Sequence, residues 1–215
     1  MRLVWDEAGK RLFETGVKNG VLYVQKEDGA YESGVVWNGL TKVDEKPSGA
    51  EETPLYADDI KYVVFYSNEE FKANIEAYTY PEEFEQCDGS AELEAGIKVG
   101  QQARRSFALV YRTAIGNDIQ GQDFGYKLHI IYGAKAAPSE KSYSTINDSP
   151  EAITFSWELS TTPVQVEGLK PTASVTIDST KCDPDKLKAI EDKLFGTENT
   201  EPTLLLPDEI KALQK

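Results

Sequence analysis

One histidine, two cysteines and a surplus of carboxylates are the groups in this chain that could do chemistry. His129 stands between Leu128 and Ile130, inside a strand-like alternation. A histidine placed there packs and hydrogen-bonds, and no serine or cysteine is spaced to make it a catalytic base. Cys87 and Cys182 lie far apart; with a single histidine they give no zinc-ligand spacing and are expected to be reduced thiols without a role. Asn117, Asp118 and Asp123 share one turn and carry oxygens of the kind Ca²⁺ takes, but not with EF-hand spacing, and local turn chemistry accounts for them. Carboxylates are too widespread to single out a glycosidase pair. Arg104-Arg105 is an isolated basic pair, better suited to salt bridges with acidic neighbours than to a phosphate. There is no phosphate-binding loop and no dinucleotide fingerprint. No catalytic residue, cofactor-binding residue or metal ligand is assigned, and the expectation is a protein that is not an enzyme and takes no cofactor.

The charge narrows the classes further. At −14 and a pI near 4.6, the surface does not wrap nucleic acid by neutralising phosphates. Apolar runs such as Tyr62-Val63-Val64-Phe65-Tyr66 are too short to cross a bilayer, and no signal peptide is read at Met1. The chain is expected to be made in the cytoplasm and to meet no membrane.

The elements that would position these groups are mostly strands. From Arg104 to Gly133, Phe107, Leu109, Tyr111 and Thr113 fall on one face and Ala108, Val110 and Arg112 on the other; after a glycine-rich turn, Tyr126, Leu128, Ile130 and Tyr132 alternate with Lys127, His129 and Ile131. This period of two predicts a central hairpin. Short strands are expected in 1–24 and at Gly34–Trp37, the latter ending in an Asn-Gly turn. Ser67 and Glu70 have capping-box spacing, but the alternation from Phe71 to Thr79 predicts a strand. Pro81–Glu85 suits a short helix, Ile153–Leu159 and Ala173–Ile177 suit strands, and Asp183-Pro184 opens a helix with Leu187, Ile190 and Leu194 on one face and Gly196 as its stop. Pro207-Asp208-Glu209 opens a last helical turn. Two stretches break every period: a charged one from Thr41 to Asp59, read as a long loop, and a polar loop from Ala137 to Glu151. The expectation is a single α+β domain over 1–215, mainly antiparallel β, a sandwich or partial barrel with sheets buried on one face, a flanking helix, a long loop at 41–59 and a C-terminal helical segment at 183–215.

A linked series of segments resembles the major tail proteins, or tail tube proteins, of long-tailed phages of Gram-positive bacteria. In order they are Glu14-Thr15-Gly16-Val17 with Gly20–Tyr23, Val36–Leu40, Pro47–Glu51, Leu55–Tyr62, Ile75–Pro81, Cys87-Asp88-Gly89, Tyr111-Arg112-Thr113, Gly116-Asn117-Asp118, Gly125–His129 and Phe155–Glu158. None of these words is catalytic; it is their order over nearly the whole chain that carries the likeness. The resemblance implies a tail-tube-type β-sandwich related to the tube proteins of contractile injection systems. It implies hexameric rings stacked into a hollow virion tail tube, assembled in the host cytoplasm with tail-tip initiator, tape-measure and tail terminator proteins. DNA would pass through the lumen transiently without specific binding. A ring of six would carry six times −14, or −84, which repels phosphate from its wall. Within this frame Leu40, Pro47, Leu55, Tyr56, Asp58 and Asp59 are the candidate contacts between subunits or rings, on a segment that orders against a partner. The same physics fits a tube subunit of a phage-tail-like bacteriocin or injection system. A carbohydrate-binding sandwich using Tyr111, Tyr126, Tyr132 and Trp157 is the alternative from another class.

Overall fold

A computed structural model describes residues 2–146 and 151–213. Met1, the last two residues of the 183–215 segment, and Asn147, Asp148 and Pro150 of the polar loop lie outside them. The elements in order are β1 (Leu12–Val24), β2 (Val35–Trp37), β3 (Leu40–Gly49), β4 (Glu52–Ala57), β5 (Ile60–Tyr66), β6 (Glu69–Ala77), a 3-10 turn (Glu82–Phe84) running into α1 (Glu85–Asp88), β7 (Ala91–Glu94), β8 (Ile97–Val99), β9 (Phe107–Asn117), β10 (Gly121–Ala136), β11 (Phe155–Thr161), β12 (Ser174–Asp178), α2 (Pro184–Phe195) and α3 (Pro207–Ala212). The pairings between strands are antiparallel.

The expected hairpin is the middle of the molecule. The eight-stranded sheet runs β2-β1-β9-β10-β11-β6-β3, with β12 also on β10. β10 is long enough to serve two partners along one edge: Lys127–Ile131 pair with β12, and Ala134–Ala136 with β11. The handover falls at Gly133, where φ is +56° and an added Cβ would lie 2.3 Å from the Thr162 carbonyl. Only glycine fits that approach without strain.

The alternation read along β9 and β10 sorts side chains between two cores. Leu22, Trp37, Ile75, Phe84, Phe107, Leu109 and Trp157 fill an inner one, drawn from strands across the whole sheet. One face serving both ends of the sheet means that the sheet curls into a partial barrel, and Phe84 and Cys87 of the helical segment pack into the same core. The rings of Trp37, Phe84 and Trp157 meet at 4.6–6.0 Å with tilted or edge geometry. Val21, Tyr23, Val110, Leu128, Ile130 and Tyr132 form an outer core under Leu187, Ile190 and Leu194 of α2 and under Leu204 and Leu205.

α2 is set as its residues dictate: the Asp183 carboxylate accepts from the Asp185 and Lys186 amides at 3.1 and 3.2 Å, Pro184 takes the first turn, and Gly196 ends the helix. The Tyr23 hydroxyl donates to the Leu194 carbonyl and that of Tyr132 to the Leu205 carbonyl, so two core tyrosines pin the C-terminal segment. The expectation of sheets buried on one face is therefore corrected: the central strands are buried on both, because α2 and the segment after it cover the second.

A larger correction concerns 41–59. It is not a loop. Residues 40–49 form β3, paired with β6 from Leu40↔Ala77 to Gly49↔Glu69, and 52–57 form β4, paired with β5. Lys42, Asp44, Glu45, Lys46 and Pro47 obscured the strand because β3 ends the sheet. Charge and proline are what an edge strand tolerates, and they deter pairing with stray chains.

Candidate functional site

The β4–β5 ribbon is a sheet of its own, joined to the body only where β3 and β6 end. At that junction Gly49 and Ala50 both have positive φ, +89° and +54°. The Cβ of any other residue at Gly49 would meet the Asn68 carbonyl at 2.3 Å. Glu51 N donates to Ser67 Oγ and Ser67 N to the Glu51 carbonyl, at 2.9 and 3.0 Å, closing the root of the arm. The tip is a two-residue turn of Asp58 and Asp59 with φ of +51° and +62°, the left-handed pair a tight hairpin needs.

Both faces of this arm are apolar and uncovered among the described residues. Leu55, Val63 and Phe65 lie on one face; Tyr62 and Tyr66 lie on the other, 70% and 68% exposed. Its charges are mainly acidic: Glu51, Glu52, Asp58 and Asp59 against Lys61, which pairs with Glu52. An isolated two-stranded ribbon is marginal in water, and apolar residues gathered on a projecting element mark a contact surface.

Of the six predicted contact residues, the structure brings four together here. Leu55 and Tyr56 are exposed on β4, and Asp58 and Asp59 form the tip. Pro47 lies apart on β3, opposite Phe71, and is exposed. Leu40 packs against the inner core and is half-buried. The residues not singled out as contacts are Ile60, Tyr62, Phe65 and Tyr66: Tyr62–Tyr66 enter the sequence reading as a run too short for a membrane, and Ile60 and Tyr62 as part of the Leu55–Tyr62 segment of the resemblance.

The groups considered for chemistry have structural tasks. Thr113 Oγ1 is 3.0 Å from His129 Nε2, the His129 ring stacks on Tyr111 at 4.7 Å, and Nδ1 faces Glu45 at 3.4 Å. The Tyr111 hydroxyl donates to the same Glu45 carboxylate at 2.6 Å. The facing His129 ring and this hydroxyl hold Glu45 below its ordinary carboxylate pKa despite burial, and burial pushes the Tyr111 hydroxyl up. The cluster ties the edge strand β3 to β9 and β10.

Asp118 accepts from Gly9 N and Asn117 Oδ1 from Ile119 N and Gln120 N, so these oxygens serve backbone amides. Arg105 reaches Glu32 at 3.4 Å, while Arg104 lies 3.6 Å from Asp88 and donates to the Ala136 and Ala137 carbonyls, the salt-bridging role expected of the pair. Cys87 and Cys182 are free thiols packed in different cores, and burial pushes the Cys87 thiol up to about 12. Tyr111, Tyr132 and Trp157 are buried and Tyr126 is half-buried under α2, so the aromatic platform expected of a carbohydrate-binding sandwich is not exposed.

No family model matches the chain, and no curated protein matches it. Among solved structures it is similar to a chain in the cryo-EM structure of an extracellular contractile injection system, the PVC sheath–tube complex in its extended state. That match has a TM-score of 0.32 and 11% identity, covering 74% of this chain and 88% of that one. An overlap this loose carries no functional assignment.

Proposed function

We propose that this protein is a structural subunit of the tail-tube type. It performs no bond chemistry and associates with copies of itself into rings of six that stack into a hollow tube, through which a phage genome leaves the capsid. The observation that carries the reading is the β4–β5 arm: Leu55, Tyr62, Phe65 and Tyr66 are held away from the body on a ribbon that covers none of them. Such an arm gains by lying on another subunit, since fully burying a side chain such as Leu55 or Phe65 contributes roughly 1.5–3 kcal/mol. At the other end of the sheet from the charged β3 edge, β2 offers an edge that copies around a ring can pair. The acidity suits a bore that must let a polyanion slide.

The test is negative-stain imaging of the purified protein across a concentration series, beside a variant in which 52–66 is replaced by a two-residue turn. Rings or tubes with a central hole are expected from the native chain, and monomers with native circular dichroism from the variant. A native chain that stays monomeric at every concentration and beside a tube seed overturns the reading. Normal tubes from the variant overturn the role of the arm.

A further inference from the structure

The second small ribbon, β7–β8, is worn inside out. Its register sets Glu92 opposite Lys98 and Ala91 opposite Val99. Lys98 reaches Glu85 of α1 at 2.6 Å and Glu82 at 3.8 Å, so the charged face is turned to the body. Ile97 and Val99, one residue either side of Lys98, point the other way; with Leu93 at the irregular step they are 51%, 37% and 66% exposed. No described residue covers them.

A second uncovered apolar group stands at the other end of the molecule. Gly9 is fixed to the β9–β10 turn, its amide donating to Asp118 at 3.0 Å and its carbonyl accepting from Asn117 at 3.3 Å. Beyond this anchor Leu3, Val4 and Trp5 are 72%, 67% and 73% exposed, next to Arg2. β9 separates the two features. Leu12 pairs with Asn117 at one end, and Phe84, which leads into α1, packs on Phe107 at the other at 5.3 Å. Eleven residues of strand span about 35 Å. A patch at one pole with its complement at the other gives a head-to-tail contact that propagates instead of closing on itself. Charge selects the occupant: Glu94, set opposite Ile97 after the irregular step, rims the apolar face, repelling the acidic arm and attracting a segment that brings Arg2 beside its apolar triad.

Building on the assembly reading, we propose that the apolar face of β7–β8 receives Leu3-Val4-Trp5 of a second copy, with Arg2 against Glu94, as the axial contact of the stack. Tryptophan reports it directly. Trp37 and Trp157 are 2% and 1% exposed and Trp5 is 73% exposed, so iodide quenching of the monomer reads Trp5. On assembly that quenchable component is expected to disappear in the native protein and in Leu169→Glu, an exposed position outside both proposed contacts, and to persist in any assemblies of Leu93→Glu. Trp5 still quenchable in native assemblies, Trp5 protected in Leu93→Glu assemblies, or exposure restored by Leu169→Glu and not by Leu93→Glu overturns the proposal while leaving tubes intact. Should the native chain form no assemblies, the tube reading falls by itself, and the contact is still read by titrating a synthetic Arg2–Ala8 peptide onto the full-length Trp5→Phe protein. A saturable blue shift lost in Leu93→Glu sustains the docking; no shift overturns it.

Discussion

Asp88 is where the inner core meets charge. It is 7% exposed and accepts from Trp157 Nε1 at 3.0 Å and from Lys141 Nζ at 2.5 Å. Asp88→Ala strands a buried indole N–H and a half-buried ammonium. The expected cost is about 2–3 kcal/mol, or roughly 5–10 °C in Tm, read by thermal unfolding; a change within a degree would place no weight on this carboxylate. Glu45 gives the pH dependence its sign. Its folded pKa lies below the ordinary 4.5, so its stabilisation is complete above that pH and is lost as pH falls through the folded value. Glu45→Gln should be less stable than the native protein near neutrality, with the gap closing below pH about 4.5. Tm measured from pH 3 to 7 checks this, and a gap that widens in acid contradicts it. At this scale the sequence was informative about roles: salt bridges for Arg104-Arg105 and turn chemistry for Asn117 and Asp118 follow from residue type. The partner of His129 was not legible, because Glu45 stands on a strand whose charges hid it.

Among the elements, legibility follows the source of the signal. β6, β9, β10, β11 and α2 were readable because burial of one face imposes a period on their side chains. β3 and the arm were not, because an edge strand and a ribbon with both faces uncovered obey no core-facing alternation. The tip added to the miss: Asp58-Asp59 does what Asn-Gly or Asp-Gly usually does in such a turn, at the expense of two non-glycine residues with positive φ. β7 and β8 were passed over for the same reason, since their apolar side faces away from the body. Excising the arm belongs at this scale. Because it contributes nothing to either core, its removal is expected to leave the thermal midpoint within a few degrees of native while abolishing growth.

For the whole molecule the governing quantity is net charge. Copies at −14 each repel one another, and in the proposed assembly contacts that are mainly apolar would have to overcome that repulsion. Raising ionic strength from about 0.05 to 0.5 M shortens the screening length to a few ångströms, so assembly followed by light scattering should start at lower protein concentration in high salt. A threshold that rises with salt would mean that the contacts are mainly ionic. The long central strands have a mechanical side as well. β9 lies hydrogen-bonded between β1 and β10 over most of its length, with its two ends facing the opposite poles. A pull along that line loads the two ladders in shear, so their bonds must yield together, whereas a pull across it would unzip them one at a time. In the proposed stack such a subunit would be stiffest in the direction along which the filament is stretched.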